Sequence, residues 1–150
     1  MSKGKKVLTV GVYDLLHIGH VELFRKAKER GDYLIVAVQS SEYVKKFKPD
    51  AQLVYSTEER CYMVRSIRYV DEVVVQDDLD KFKAWEKYHY DVLFVGDDWK
   101  GTDKWNEYER KLNLVGAKVC YLPYTKTTSS TLITKVLKDL SENTNLKVVA

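Results

Sequence analysis

The sequence predicts a doubly wound α/β fold, with one parallel sheet of five strands in the order 3-2-1-4-5 and helices on both faces. Three observations predict it. Short apolar runs alternate along the chain with longer segments whose apolar residues recur at helical spacing. The runs are continuous rather than alternating, as in strands covered on both faces. The residues His17, His20, Gly96 and Asp98 follow the first and fourth runs, where the strand order reverses and such sheets bind ligands.

The first strand is the run from Val7 to Val12, and Gly11 allows a backbone turn that a side chain would obstruct. The first helix starts at residues 18–20 and carries Leu23, Phe24 and Ala27 as one stripe. Gly31 is expected as its C-terminal glycine. Residues 33–38 are the second strand, and Ser40-Ser41 caps a short helix through Val44 and Lys45. Lys45, Lys46 and Lys48 then lie in a loop at the ligand-binding end of the sheet, closed by Pro49. Ser56-Thr57-Glu58-Glu59 is a capping-box signal. It opens a helix through Ile67 with Met63, Val64 and Ile67 inward and arginines at 60, 65 and 68. Residues 73–75 form the third strand. Residues 79–89 are an amphipathic helix whose Leu79, Phe82, Trp85 and Tyr88 read as core packing. Residues 91–95 are the fourth strand, and residues 105–115 a helix stopped by Gly116. Residues 118–122 are the fifth strand. Ser129-Ser130-Thr131 opens the last helix, and residues 141–150 read as a loose tail.

With 150 residues, 45% hydrophobic and 31% charged, the chain reads as one globular domain, residues 1–150. A net charge of +3 is too mild to argue for nucleic acid as a partner. The two cysteines, Cys61 and Cys120, suit a reducing cytoplasm. The start lacks a signal peptide's apolar stretch, and no segment is long enough for membrane insertion. A zinc site is disfavoured, because the only other histidine is His89 and no Cys-x-x-Cys occurs.

The chemistry concentrates in Gly11-Val12-Tyr13-Asp14-Leu15-Leu16-His17-Ile18-Gly19-His20. If the helix starts at residue 18, two imidazoles and several unpaired backbone N–H groups converge on one spot. A helix N-terminus already attracts phosphate, and the imidazoles would add donors for a phosphate under attack. Two histidines at a helix start can also be ordinary surface residues; the strand and the Gly-Val-Tyr-Asp segment before them favour function.

The His-Ile-Gly-His segment resembles the signature of the nucleotidyltransferase superfamily, shared with class I aminoacyl-tRNA synthetases, and the fold implied is Rossmann-like. The resemblance extends from Val7 to about Leu137, and four further matches carry it: Glu59-Arg60, then Ile67-Arg68-Tyr69-Val70-Asp71-Glu72-Val73, Gly96-Asp97-Asp98-Trp99-Lys100-Gly101, and Tyr121-Leu122-Pro123 leading to Ser129-Ser130-Thr131. Together they look like the small bacterial glycerol-3-phosphate cytidylyltransferases. The resemblance implies a cytoplasmic homodimer that makes a CDP-alcohol and pyrophosphate from CTP and a polyol phosphate, for cell-envelope or surface polysaccharide precursors. Mg²⁺ would be bound through the nucleotide phosphates, with no metal ligand from the protein.

It also implies roles. His17, His20 and Lys46 would be catalytic, the histidines as donors to the α-phosphate rather than bases. Val12, Tyr13, Lys48, Asp98, Tyr124, Thr125, Ser129, Ser130 and Thr131 would hold the nucleotide, with Asp98 at the cytosine and the Ser/Thr helix start on the β- and γ-phosphates. Lys46, Lys81 and Arg60 would face the acceptor, and Arg68 and Asp71 the dimer contact. The chain departs from the family at Tyr124, where an arginine is usual, at Thr127-Thr128, where Gly-Ile is usual, and at Ser41, where an aspartate is frequent.

Two other functions compete. An adenylyltransferase acting on another sugar or polyol phosphate would share the His-x-G-His and Ser/Thr features. A non-catalytic nucleotide-binding regulatory module would lack the site's histidines and lysines. A dehydrogenase is disfavoured because no G-x-G-x-x-G follows the first strand. A tRNA synthetase is excluded by length.

Overall fold

The computed structural model describes residues 4–77, 80–96, 100–122 and 130–144. The elements run β1 (Lys6–Gly11), α1 (Ile18–Lys28), β2 (Tyr33–Gln39), α2 (Ser41–Phe47), α3 (Thr57–Arg65), β3 (Glu72–Gln76), α4 (Lys81–Tyr88), β4 (Val92–Gly96), α5 (Asp103–Leu114), β5 (Lys118–Leu122) and α6 (Ser130–Thr144). The strands form one five-stranded sheet in the order β3-β2-β1-β4-β5, with every pairing parallel. β1 and β2 run in step from Lys6 beside Tyr33 to Gly11 beside Val38, so their ligand-facing ends are level.

The central strand β2 is covered on both faces, which is why its run from Leu34 to Val38 is apolar without a break. Leu34, Val36 and Val38 point to one core with Phe24 and Ala27 of α1 and Val64 of α3. Ile35 and Ala37 point to the other with Ala84 of α4 and Trp105 and Leu112 of α5. Strand alternation sends neighbours to opposite faces, so one apolar run serves two cores. Phe82, Trp85 and Tyr88 pack, half-buried, against the second core, as expected.

Local details differ from expectation. α1 ends at Lys28, and Gly31 does not adopt the left-handed conformation of a C-terminal glycine. It is needed for a close approach, since a Cβ there would lie 2.6 Å from the Lys5 carbonyl oxygen. α3 ends at Arg65 rather than Ile67, and Met63 is 43% exposed. The inward residues are Arg60, Cys61 and Val64, with Ile67 packing from the following turn. α4 starts at Lys81 behind the cap of Asp80, and Leu79 lies outside the described residues. α6 continues as helix through Thr144, four residues into the expected loose tail, with no glycine or proline to interrupt it, and the rest of that tail, residues 145–150, lies outside the described residues.

Candidate phosphate-binding site

The turn between β1 and α1 is tight, and its conformation comes from unexpected residues. Tyr13 and Leu15 have φ of 56° and 51°, the left-handed region, whereas Gly11 does not. Left-handed backbone costs a side-chain-bearing residue about 1–2 kcal/mol. Gly11 is required for another reason: a Cβ there would lie 2.8 Å from Cζ of Tyr13, whose ring folds back over the strand end. That ring is 5% exposed and packs edge-on against Phe24 at 5.1 Å and His20 at 5.4 Å between centroids. Asp14 fastens the turn from the other side, its carboxylate accepting from the Val54 N–H at 2.8 Å and the Tyr55 N–H at 3.0 Å.

The two histidines cap α1 reciprocally. His17 is the N-cap, and its Nδ1 accepts from the Gly19 N–H at 3.0 Å. His20 Nδ1 accepts from the His17 N–H at 3.2 Å. A neutral imidazole has one donor and one acceptor nitrogen, so two accepting Nδ1 atoms place both protons on Nε2. The rings lie 3.9 Å apart between centroids. Burial holds His20's pKa down to about 4, with neighbouring His17 adding to the effect, and burial lowers that of His17. At neutral pH both rings are uncharged and each offers one Nε2–H donor. The first turn of α1 contains no acidic side chain, so the positive end of its dipole is not cancelled there.

The lysine segment sits beside this turn because β2 neighbours β1. The Ser40 hydroxyl accepts from the Tyr43 N–H at 3.1 Å and starts α2. Lys45 and Lys46 occupy its exposed last turn, and Lys48 follows with its ammonium 5.8 Å from the Phe47 ring centroid.

Arg60, expected at the acceptor, is 0% exposed, and its guanidinium is bonded entirely within the chain. Nε donates to the Tyr55 carbonyl at 3.2 Å. Nη1 donates to the carbonyls of Val12 at 2.8 Å and Gln39 at 2.7 Å. Nη2 donates to Ser41 Oγ at 2.8 Å and Thr57 Oγ1 at 3.4 Å. Those bonds take every donor an arginine has, so Arg60 is a structural tie rather than a ligand contact. Its inward position is legible from Val64, four residues on along the same helix face. Asp14, Gln39 and Ser41 are the site's other unexpected members; their roles arise from partners distant in sequence.

Val12 contributes its carbonyl to Arg60, and Tyr13 turns its ring into the core, which leaves their backbones to border the turn. Lys81 is 5% exposed at the start of α4, where its carbonyl accepts from the Tyr90 hydroxyl at 2.8 Å. Asp71 works within its own chain, accepting from the Leu34 N–H at 2.7 Å and pairing with Lys28. Arg68 is exposed, with its guanidinium 5.6 Å from the Tyr69 ring centroid. Ser130 begins α6. Asp98, Tyr124, Thr125 and Ser129 lie outside the described residues, as do the side chains of Ser130 and Thr131.

The sequence pattern of the cytidylyltransferase-like family matches residues 8–136. The chain is 35% identical over 143 residues to the glycerol-3-phosphate cytidylyltransferase of Bacillus subtilis (strain 168), spanning 91% of this chain and 99% of that one. It is 38% identical over 144 residues to the enzyme of the same name from Staphylococcus aureus (strain NCTC 8325 / PS 47), spanning 91% and 95%. Among solved structures, a lipopolysaccharide core biosynthesis protein from Thermoplasma volcanium GSS1 superposes with a TM-score of 0.67 at 23% identity, over 84% of this chain and 100% of that one. This last likeness concerns the fold alone.

Proposed function

The chain belongs to the cytidylyltransferase-like family, and from that premise we propose that it transfers the cytidylyl group of CTP to glycerol 3-phosphate, giving CDP-glycerol and pyrophosphate. The observation that carries the reading is the pair of neutral histidines at the open N-terminus of α1, each with its Nε2–H as donor.

The acceptor phosphate is largely dianionic at neutral pH, its second pKa being about 6. It needs no general base. Its oxygen attacks the α-phosphorus, a new P–O bond forms, and the bond to the β-phosphate oxygen breaks to release pyrophosphate. Two anions must be held together, and negative charge grows on the five-coordinate α-phosphate. His17 and His20 donate Nε2–H bonds to that group, and the α1 N-terminus adds its dipole. Lys46 attracts the acceptor phosphate and bridges it to the α-phosphate, while Lys48 faces the triphosphate. The start of α6, with Ser129, Ser130 and Thr131, holds the β- and γ-phosphates, and Asp98 reads the cytosine.

Among the described residues, no group of three or more His, Cys, Asp or Glu side chains is placed to hold a metal ion. The two neutral imidazoles are also poor ligands for Mg²⁺, which prefers oxygen. This donor set suits Mg²⁺ carried by the nucleotide phosphates, where it would neutralise the departing pyrophosphate.

The working unit is a homodimer formed around the end of α3 and the start of β3. The exposed Tyr62 and Met63 of α3, together with Arg68, support that contact. Light scattering at micromolar concentration should give twice the chain mass; a monomer mass would exclude the dimer. Among the described residues no helix is long and apolar enough to cross a membrane. The reading places the enzyme in the cytoplasm, with its CTP. A pyrophosphate-release screen of the four nucleoside triphosphates against a panel of polyol phosphates tests the reaction. CTP with glycerol 3-phosphate should lead, and equal turnover of CTP and ATP would overturn the assignment.

A further inference from the structure

We infer that Arg60 is a positioning residue that holds the histidine turn and the lysine helix in one fixed relation, so that the two halves of the phosphate site assemble together. A fully buried guanidinium is costly unless its hydrogen bonds are met, and it normally faces a carboxylate. Here the five acceptors are all neutral: three main-chain carbonyls and two hydroxyls. They belong to separate segments. Val12 opens the turn that carries His17 and His20. Gln39 ends β2, and Ser41 begins α2, the helix of Lys46. Tyr55 lies in the segment that Asp14 grips, and Thr57 begins α3.

Thr57 also ties α3 to α2, its Oγ1 accepting from the Ser41 N–H at 2.9 Å. The contacts therefore close a loop. Asp14, on the histidine turn, holds Val54 and Tyr55; Tyr55 accepts from Arg60; and Arg60 returns to Val12 on the same turn. Only a planar fork with five fixed donors can reach all these acceptors together, and a lysine has three donors on one atom. None of these bonds goes to a carboxylate, but the Asp14 carboxylate on the histidine turn lies close enough to act on the Arg60 charge, which adds an electrostatic link between the same two segments.

The histidines provide a readout that does not need turnover. The chain has three, and His89 sits exposed at the end of α4, where it serves as an internal control. Long-range nitrogen–proton NMR of the folded wild type should show His17 and His20 as Nε2–H tautomers. In Arg60→Met the turn loosens, both should move toward averaged tautomers, and His89 should stay unchanged. The kinetic arm alone rests on the cytidylyl-transfer reading. With CTP and glycerol 3-phosphate, Arg60→Met should lose about a hundredfold in kcat, the cost of misplacing reacting groups by roughly 1 Å, with a raised KM for the acceptor. If Arg60→Met does not fold by circular dichroism, Arg60→Lys is read in the same two ways, with the same directions expected. In a folded Arg60→Gly variant, guanidinium at a non-denaturing concentration should restore part of both signals.

Unchanged His17 and His20 signals in a folded variant, with turnover within about twofold of wild type, would overturn the positioning role. If the wild type turns over no CTP with glycerol 3-phosphate while the variant still loses the tautomer signature, the function reading fails and the positioning role stands.

Discussion

α1 and α3 both begin with a reciprocal capping box, and they use it for opposite ends. At α3, Ser56 Oγ accepts from the Glu59 N–H at 3.1 Å, and the Glu59 carboxylate accepts from the Ser56 N–H at 3.1 Å. Glu58 and Glu59 place negative charge in the first turn, so the helix dipole is answered from within the chain. At α1 the same backbone positions are served by His17 and His20, and no acid lies in the first turn. The hydrogen bonds close equally well, but the helix end keeps its positive potential and gains two Nε2–H donors. One box completes a helix. The other completes it while leaving an anion site open.

Converting one box into the other is the strongest way to break this comparison. His17→Ser with His20→Glu rebuilds the α3 arrangement at α1. The fold should persist, with stability changed by no more than about 1 kcal/mol, the usual size of a cap effect. Nucleotide binding by titration calorimetry should be lost, since a carboxylate would sit where the phosphates bind, and turnover should fall by more than about a thousandfold. A converted enzyme that binds CTP normally would remove the open helix end from the site.

The next effect separates donors from attractors. One donor to a developing oxyanion is worth about 3–4 kcal/mol, roughly a hundred- to a thousandfold in rate. His17→Ala and His20→Ala should each lose that much kcat with little rise in KM, because the bond strengthens at the five-coordinate phosphorus. Lys46→Ala should differ, raising the acceptor KM as well as lowering kcat. A bond to a charged group is worth about 1.5–3 kcal/mol, or roughly ten- to a hundredfold. A folded histidine variant with near-normal kcat and only a raised KM for CTP would make the histidines ground-state ligands.

The two boxes were unequally legible. Ser56-x-x-Glu59 is a standard cap and reads directly from the sequence. His17-x-x-His20 read as a ligand pair, and its capping role was hidden because imidazole is seldom a cap. The strands and helices followed from local periodicity, which needs no distant partner, and the strand order from the topology that their alternation implies, while Met63, expected inward, is exposed. Arg60 was expected at the acceptor on the family resemblance alone, although its place four residues before Val64 already sets it on the inward face of α3. Its burial depends on carbonyls of Val12 and Gln39, 48 and 21 residues away, which only the folded sheet brings to it. The left-handed turn at Tyr13 and Leu15 was equally silent, since neither residue is one that favours it.

The smallest expected effect lies in how stability responds to acid. His20's pKa falls from 6.5 to about 4 on folding, with burial the main cause and His17 the second. The folded chain therefore keeps this ring neutral while the unfolded chain protonates it. Between those two pKa values the unfolded state binds more protons, so stability rises with pH there. The contribution is complete above about 6.5 and is lost as pH falls toward 4. His17, also lowered by burial, works in the same direction. Carboxylates titrate over part of this window, so the measurement is a difference: Tm of wild type minus Tm of His20→Gln, whose amide oxygen can still cap the His17 N–H. From pH 7 to pH 5 that difference should shrink by about 2–4 °C, the shift that roughly 1 kcal/mol gives in a domain of this size. A difference that grows as pH falls would mean that His20 is stabilised in its protonated form. That result would replace the neutral pair by a cation at the head of α1.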